Sequence, residues 1–201
     1  MLLKNAVLLL LLTALMQGSA VVADETDAVT TVEGFHATLI EVMQQADELA
    51  FEGRYEKLAP VIDATFDIDM ICRVILNRDW RDLDPGQQAY FAEVFARLST
   101  ATYASRFNAY ADQAFRTLSM EALQEGRVMV KTEFLQENKE PIRFDYILHQ
   151  KGEDWLVISA IAEGVNDLAL KRAEYATIIK GSGFDGLTAE LENKVRELGS
   201  L

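Results

Sequence analysis

A single cysteine, Cys72, is all the thiol this chain has, so no internal disulfide can staple its fold. It lies in an apolar helical stretch between Ile71 and Val74 and reads as a small buried hydrophobe. Histidine is nearly as scarce. His36 and His149 are too far apart in sequence for a metal-ligand spacing, and His149 falls on a polar strand side where a solvated ring is the default. There is no glycine-rich phosphate loop, no nucleophile elbow and no cysteine–histidine arrangement. Positive charge is also short: 19 Lys and Arg stand against 32 Asp and Glu, a net charge of -13. That balance argues against nucleic acid and against standing attachment to anionic lipid. The acidic residues sit mostly at helix caps and on polar helix faces. An enzyme would need a polar constellation inside a cavity, and only Tyr103, Tyr110 and Tyr146 could place a polar atom there. Nothing in these patterns calls for a metal or a cofactor.

Hydrophobic residues are plentiful, and the length suits one domain with a full core. Lys4, the apolar run 6–16 and Val21-Val22-Ala23 before Asp24-Glu25 have the layout of a secretory signal peptide. The run is too short for a comfortable membrane span, and no cysteine follows it to carry a lipoprotein anchor. Residues 1–23 are therefore expected to be removed on export, leaving residues 24–201 as a single domain. No internal repeat, low-complexity tract or linker divides it.

The stretch 114–162 alternates between apolar and polar residues in four short runs with turn residues between them. Leu118, Met120 and Ala122 oppose Thr117, Ser119 and Glu121 in the first, which Glu125-Gly126 turns. In the second, Val128, Val130 and Phe134 oppose Met129, Lys131 and Glu133. The third sets Ile142, Phe144, Tyr146 and Leu148 against Arg143, Asp145 and His149. After Lys151-Gly152-Glu153 comes a nearly continuous apolar run, 155–161. Period-two alternation with such short connections predicts an antiparallel four-stranded meander with one wet and one dry face. Helices must cover the dry face, so the fold class is α+β.

Helical spacing flanks that sheet. Val32, Phe35, Leu39, Val42, Ala46 and Leu49 mark a helix over 28–51, ended by Gly53. Residues 55–66 read as helix interrupted at Pro60, and Asp67 caps a helix holding Met70, Ile71, Val74 and Ile75. Asp84-Pro85-Gly86-Gln87 is a capping-box start. The long aromatic helix behind it, with a bend expected at Ser99-Thr100, is placed to lie across the dry face. A further helix ends at Lys180-Gly181, and Asp185 starts the last one.

Several of these stretches resemble a known family. Phe66-Asp67 to Ile75-Leu76, Trp80, Pro85-Gly86-Gln87-Gln88, Phe91, Phe95 and Ala101-Thr102-Tyr103-Ala104 are similar to its amino-terminal half. Trp155-Leu156-Val157 to Glu163-Gly164-Val165, the run Lys171 to Tyr175 and Gly183-Phe184-Asp185-Gly186-Leu187 are similar to its carboxy-terminal half. Together they resemble the MlaC, or toluene-tolerance, family of periplasmic lipid-binding proteins. The resemblance implies a deep apolar cavity between sheet and helices that holds phospholipid acyl chains, with the headgroup outside. It also implies partners: an outer-membrane lipoprotein complex and an inner-membrane ABC transporter with an MCE-domain protein. The Ser99 to Tyr110 region and Asn166-Asp167-Leu168 look like a branch associated with hopanoid production, which makes a hopanoid-like lipid the alternative cargo. Asn77, Ser159 and Asn166 depart from the family's usual glycine, aspartate and serine.

A lipid carrier is thus the leading reading. At about 0.8 kcal/mol per methylene, two acyl chains with about thirty methylenes would face roughly 24 kcal/mol in water. A dry pocket removes most of that, and direction must then come from different affinities at donor and acceptor. Ligand-binding residues are expected on the dry strand face and the facing helices: Ile71, Ile75, Phe91, Phe95, Tyr103, Phe107, Val130, Phe134, Phe144, Tyr146 and Leu148. Each could equally be plain core. Val130→Trp or Phe144→Trp is expected to fill the pocket. Two other classes compete. A small acid-base enzyme on an apolar substrate would need a buried carboxylate of raised pKa beside a tyrosine, and the nearest, Asp145, points outward. A protein-binding adaptor would have a filled core.

Overall fold

The computed structural model describes residues 25–200, so the signal peptide read over residues 1–23 lies outside the described residues. Helix α1 (Glu25–Gln44) buries Val32, Phe35, Leu39 and Val42, the face its spacing marked. Helix α2 (Ala46–Thr65) follows at once and breaks at Ala50, which holds φ 48° and ψ -163°. The break therefore comes before Gly53, which is helical. Pro60 does not interrupt α2 either. It is exposed, while Leu58 and Ile62 anchor the opposite side, so the lost N–H bond faces water.

Helix α3 (Ile68–Leu76) is capped by Asp67, whose Oδ1 accepts from Met70 N at 3.2 Å. A short α4 (Arg78–Asp82) leads to α5 (Pro85–Arg106). The α5 capping box is complete: Gln87 N donates to Asp84 Oδ1 at 2.9 Å, and Asp84 N to Gln87 Oε1 at 3.0 Å. No bend occurs at Ser99-Thr100, whose hydroxyls donate back to the Phe95 and Ala96 carbonyls within the turn.

Between α3 and α4, Asn77 adopts φ 50° and ψ -103°. Asparagine tolerates the left-handed well at positive ψ, but this ψ lies outside it, where only glycine is comfortable. Asn77→Gly should therefore stabilise the protein by about 1 kcal/mol, seen as a higher denaturant midpoint with an unchanged slope. An unchanged or lower midpoint would contradict this.

The sheet consists of β1 (Ala114–Ala122), β2 (Arg127–Leu135), β3 (Ile142–Lys151), β4 (Asp154–Ala162) and a two-residue β5 (Val165–Asn166). Each strand pairs antiparallel with its chain neighbour, so the four expected strands form the meander and β5 adds a short fifth. The dry side of β2 and β3 is as the alternation read. On β1 it is not. A bulge between Thr117 and Ser119 takes up Leu118, which is exposed, and puts Phe115 and Thr117 opposite the buried Phe134 and Thr132. A second bulge in β4 sets Ile147 opposite Ser159 and Tyr146 opposite Ala160.

Helix α6 (Asp167–Gly199) closes the domain, with Asn166 Oδ1 accepting from Leu168 N at 3.0 Å. The two helices expected on either side of Gly181 are one element broken at Gly183, where φ is 72° and ψ -175°. The layering also differs from expectation. Helix α1, not α5, is the one that packs on β1, β2 and β4, while α5 packs against α2, α3 and α6. Phe91 is thereby drawn into the helical layer, where its ring meets Trp80, Tyr175 and Phe184. Cys72 is fully buried on the inner face of α3, and burial pushes its thiol up.

Candidate functional site

Because α1 covers only part of the dry face and α5 belongs to the helical layer, the sheet and α5 are left apart over the ends of β2, β3 and β4. The gap is a cavity of about 560 Å³. One helical face of α5 walls it: Phe95, Leu98, Ser99, Thr102, Tyr103 and Arg106, at the three-and-four spacing that puts them in one stripe. Phe134, Ile142, Phe144, Ala160 and Ala162 form the opposite wall from the sheet, and Ile62, Phe66, Ile68 and Ile71 come from α2, α3 and their junction. Phe107 closes one corner, its ring 5.8 Å from Phe134 and 6.2 Å from Phe115.

Six of the eleven residues expected to bind ligand line this space: Ile71, Phe95, Tyr103, Phe107, Phe134 and Phe144. The other five, Ile75, Phe91, Val130, Tyr146 and Leu148, are buried where side chains fill the interior. The difference comes from the layering, since α1 occupies the middle of the sheet and α5 turns Phe91 away from it. Tyr110, a candidate polar donor, is exposed beyond the end of α5.

The rim is polar. Arg106, Asn108 and Gln113 meet Gln136 and Lys171 there, with the exposed Val165 beside them. Lys171 Nζ lies 3.3 Å from Asp167 Oδ2, whereas Arg106 has no carboxylate partner among the described residues. Within the walls the polar atoms are few. Burial pushes the Tyr103 phenol up, so it stays a neutral hydroxyl. Ser159 Oγ is buried with no hydrogen-bond partner among the described residues.

Two polar constellations, each built on a buried residue, escaped the sequence, because each joins residues far apart in the chain. His36 Nε2 and the Tyr146 hydroxyl share a hydrogen bond of 3.0 Å in the core, and the imidazole stacks on Phe115 at 3.8 Å. Burial pushes the His36 imidazole down to about 3, so the ring is neutral. The second is centred on Asp67. His149 Nε2 donates to its Oδ2 at 2.9 Å and Lys151 Nζ to its Oδ1 at 3.2 Å. His149 is thus not the free, solvated ring its position on the strand suggested. Burial pushes the Asp67 carboxyl up, but the Met70 N–H, Lys151 and His149 together hold it below the usual range. This is the reverse of the raised carboxylate that acid catalysis would need. Asp145 lies on the outward side of β3, 4.0 Å from Arg143 Nε.

Asp67 ties the start of α3 to the β3–β4 hairpin, and Asp67 N also donates to the Val157 carbonyl at 3.0 Å. Asp67→Asn keeps the cap but removes the charge that His149 and Lys151 face. It should cost about 2 kcal/mol, read as a lower midpoint in denaturant at neutral pH. A loss within error of zero would mean the contacts contribute nothing net.

Known families and structures bear on this geometry directly. The family model described as MlaC protein matches residues 33–193, from α1 through α6. The chain belongs to the MlaC family. Among solved structures, the phospholipid-binding protein of Ralstonia solanacearum, determined with a phospholipid bound, superposes with a TM-score of 0.72. The two are 22% identical, and the match covers 86% of this chain and 98% of that one, so the likeness concerns the fold. Within the MlaC family reading, the departure at Asn77 coincides with the strained backbone described above, and Ser159 with the unpartnered hydroxyl at the cavity wall.

Proposed function

We propose that this protein is a periplasmic lipid carrier that keeps hydrocarbon in the cavity and leaves the polar headgroup at the rim. One observation carries the reading. Protein interiors are normally filled to crystal-like density, and here about 560 Å³ between aromatic and aliphatic walls is left to something other than side chains. A guest chain with about fifteen methylenes would gain roughly 12 kcal/mol by leaving water for such walls. Membership of the MlaC family supports the same cargo class, as does the phospholipid held by the Ralstonia protein on this fold.

In this reading residues 1–23 are removed on export and residues 24–201 act as one domain. Ile71, Phe95, Tyr103, Phe107, Phe134 and Phe144 touch the guest, while Ile75, Phe91, Val130, Tyr146 and Leu148 support them from behind. Delivery and collection take place at an outer-membrane lipoprotein complex and an inner-membrane ABC transporter with an MCE-domain protein, and no bond of the lipid is made or broken. Native mass spectrometry of protein purified from the periplasm, followed by organic extraction, tests it. Co-purifying lipid of a defined mass, phospholipid or hopanoid, is the expected result. Protein that is folded, empty and unable to take up lipid from vesicles would overturn the proposal.

A further inference from the structure

The wall that α5 gives the cavity changes character along its length. Phe95 and Leu98 begin it with hydrocarbon. Ser99 and Thr102 follow, but their hydroxyls donate to the Phe95 and Leu98 carbonyls at 2.9 and 2.7 Å, so neither has a proton left for a guest. Tyr103 differs. Its ring is wedged among Phe35 at 5.1 Å, Phe107 at 5.9 Å and Phe66 at 6.1 Å, while its hydroxyl makes no hydrogen bond among the described residues. Burial keeps that phenol protonated, so it is a donor with no acceptor. Ser159 Oγ also lacks a partner, but it is sealed inside the facing wall, out of a guest's reach. One turn toward the mouth from Tyr103 stands the exposed Arg106.

A hydroxyl held among aromatic rings without an acceptor is unfavourable, and folded proteins seldom leave one so. Here a guest can supply what is missing. In an acyl lipid the hydrocarbon begins at an ester carbonyl, an acceptor with no proton of its own, and the phosphate lies a short glycerol spacer further out. Tyr103 and Arg106 present the matching order: three residues apart on one helical face, they are separated by about 4.5 Å along the axis. We propose that Tyr103 reads the ester linkage of the guest, donating its hydroxyl to an acyl carbonyl while Arg106 meets the phosphate. The pair fixes how far the lipid sinks, with the chain against Phe95 and Leu98 and the headgroup beyond Arg106. Lys171 is shared with Asp167 at 3.3 Å, so the phosphate falls to Arg106. This inference rests on the carrier reading and adds the chemical group that the guest must carry at its neck.

The test uses the delipidated mature protein and two probes that differ only in their linkages: dipalmitoyl phosphatidylglycerol, with ester carbonyls, and dihexadecyl phosphatidylglycerol, with ethers. Competition binding gives the ester-to-ether affinity ratio for each protein. The unaltered protein should prefer the ester by about fivefold, the size of one neutral hydrogen bond. Tyr103→Phe keeps the ring and should bring the ratio to about one by weakening the ester lipid alone. The ether lipid's unchanged affinity then shows that the variant's cavity is intact. Using the same two probes on both proteins cancels any difference in their own hydrophobicity. Arg106→Gln should weaken both lipids alike, by about threefold, and leave the ratio as it was. The same ratio in the parent and in Tyr103→Phe would overturn the proposal and leave the carrier reading intact. So would a ratio of about one in the unaltered protein, a result that needs no variant. Binding of neither lipid would sink the carrier reading as well.

Discussion

Replacing Ala160 with tryptophan should leave a folded protein that has lost its hold on hydrocarbon. Ala160 stands on β4 opposite Tyr146, lines the cavity and is only partly buried. An indole there enters existing space instead of forcing packed neighbours apart. Val130, which is completely buried, offers no such room, so a tryptophan at that position would overpack the core. The indole would displace about five methylenes of guest, and at about 0.8 kcal/mol each the loss is about 4 kcal/mol, on the order of a thousandfold in affinity. Lipid content of the purified variant and uptake from vesicles give the result, with circular dichroism and a thermal melt as the check on folding. A well-folded variant carrying as much lipid as the parent would mean that the guest sits elsewhere.

Acid should weaken the fold through His36 before it reaches the carboxylates. In the folded protein this imidazole stays neutral down to about 3, whereas in the unfolded chain it takes up a proton near 6.5. Between those values the unfolded state binds more protons, so stability rises with pH and is lost as pH falls. From pH 7 to pH 4.5 the loss is about 3 kcal/mol, or roughly 6–12 °C in melting temperature for a domain of this size. The Asp67 carboxyl is held low in the folded state, so its contribution is kept above the ordinary aspartate range and disappears only below about pH 4. A scan that stops at pH 4.5 thus stays above the Asp67 transition, and comparison with a His36 variant isolates the histidine. His36→Gln, which still offers Tyr146 a neutral partner, should show a flatter profile over that range. Parallel profiles for parent and variant would rule His36 out as the source.

The sheet and the caps were legible because their signals are local. Alternation along β2 and β3, and the reciprocal Asp84–Gln87 bonds, are decided by residues a few positions apart. Where the reading failed, the deciding partner was remote. The β1 bulge at Leu118 is required by pairing with Thr132 and Lys131 on the next strand, and no residue in β1 announces it. The same holds for the choice of α1 over α5 as the sheet's cover, since both carry an apolar stripe and periodicity does not say which stripe meets which surface. The cavity lining was half legible for that reason. His36 and Tyr146 are 110 residues apart, and His149 and Asp67 are 82 apart, so neither bond leaves a spacing to find.

The outward side of the sheet carries ion pairs and half-exposed chains, with Arg116 of β1 bonded to Glu133 of β2 at 2.6 Å and Lys131 of β2 to Glu121 of β1 at 2.5 Å. Along Phe134 and Phe144 the hollow is therefore bounded by one thickness of backbone, with bulk solvent on the far side. Such a wall is kept from caving in by the tensile stiffness of its cross-strand ladder, much as a stretched membrane spans a frame, and any guest rests about one pleat away from water.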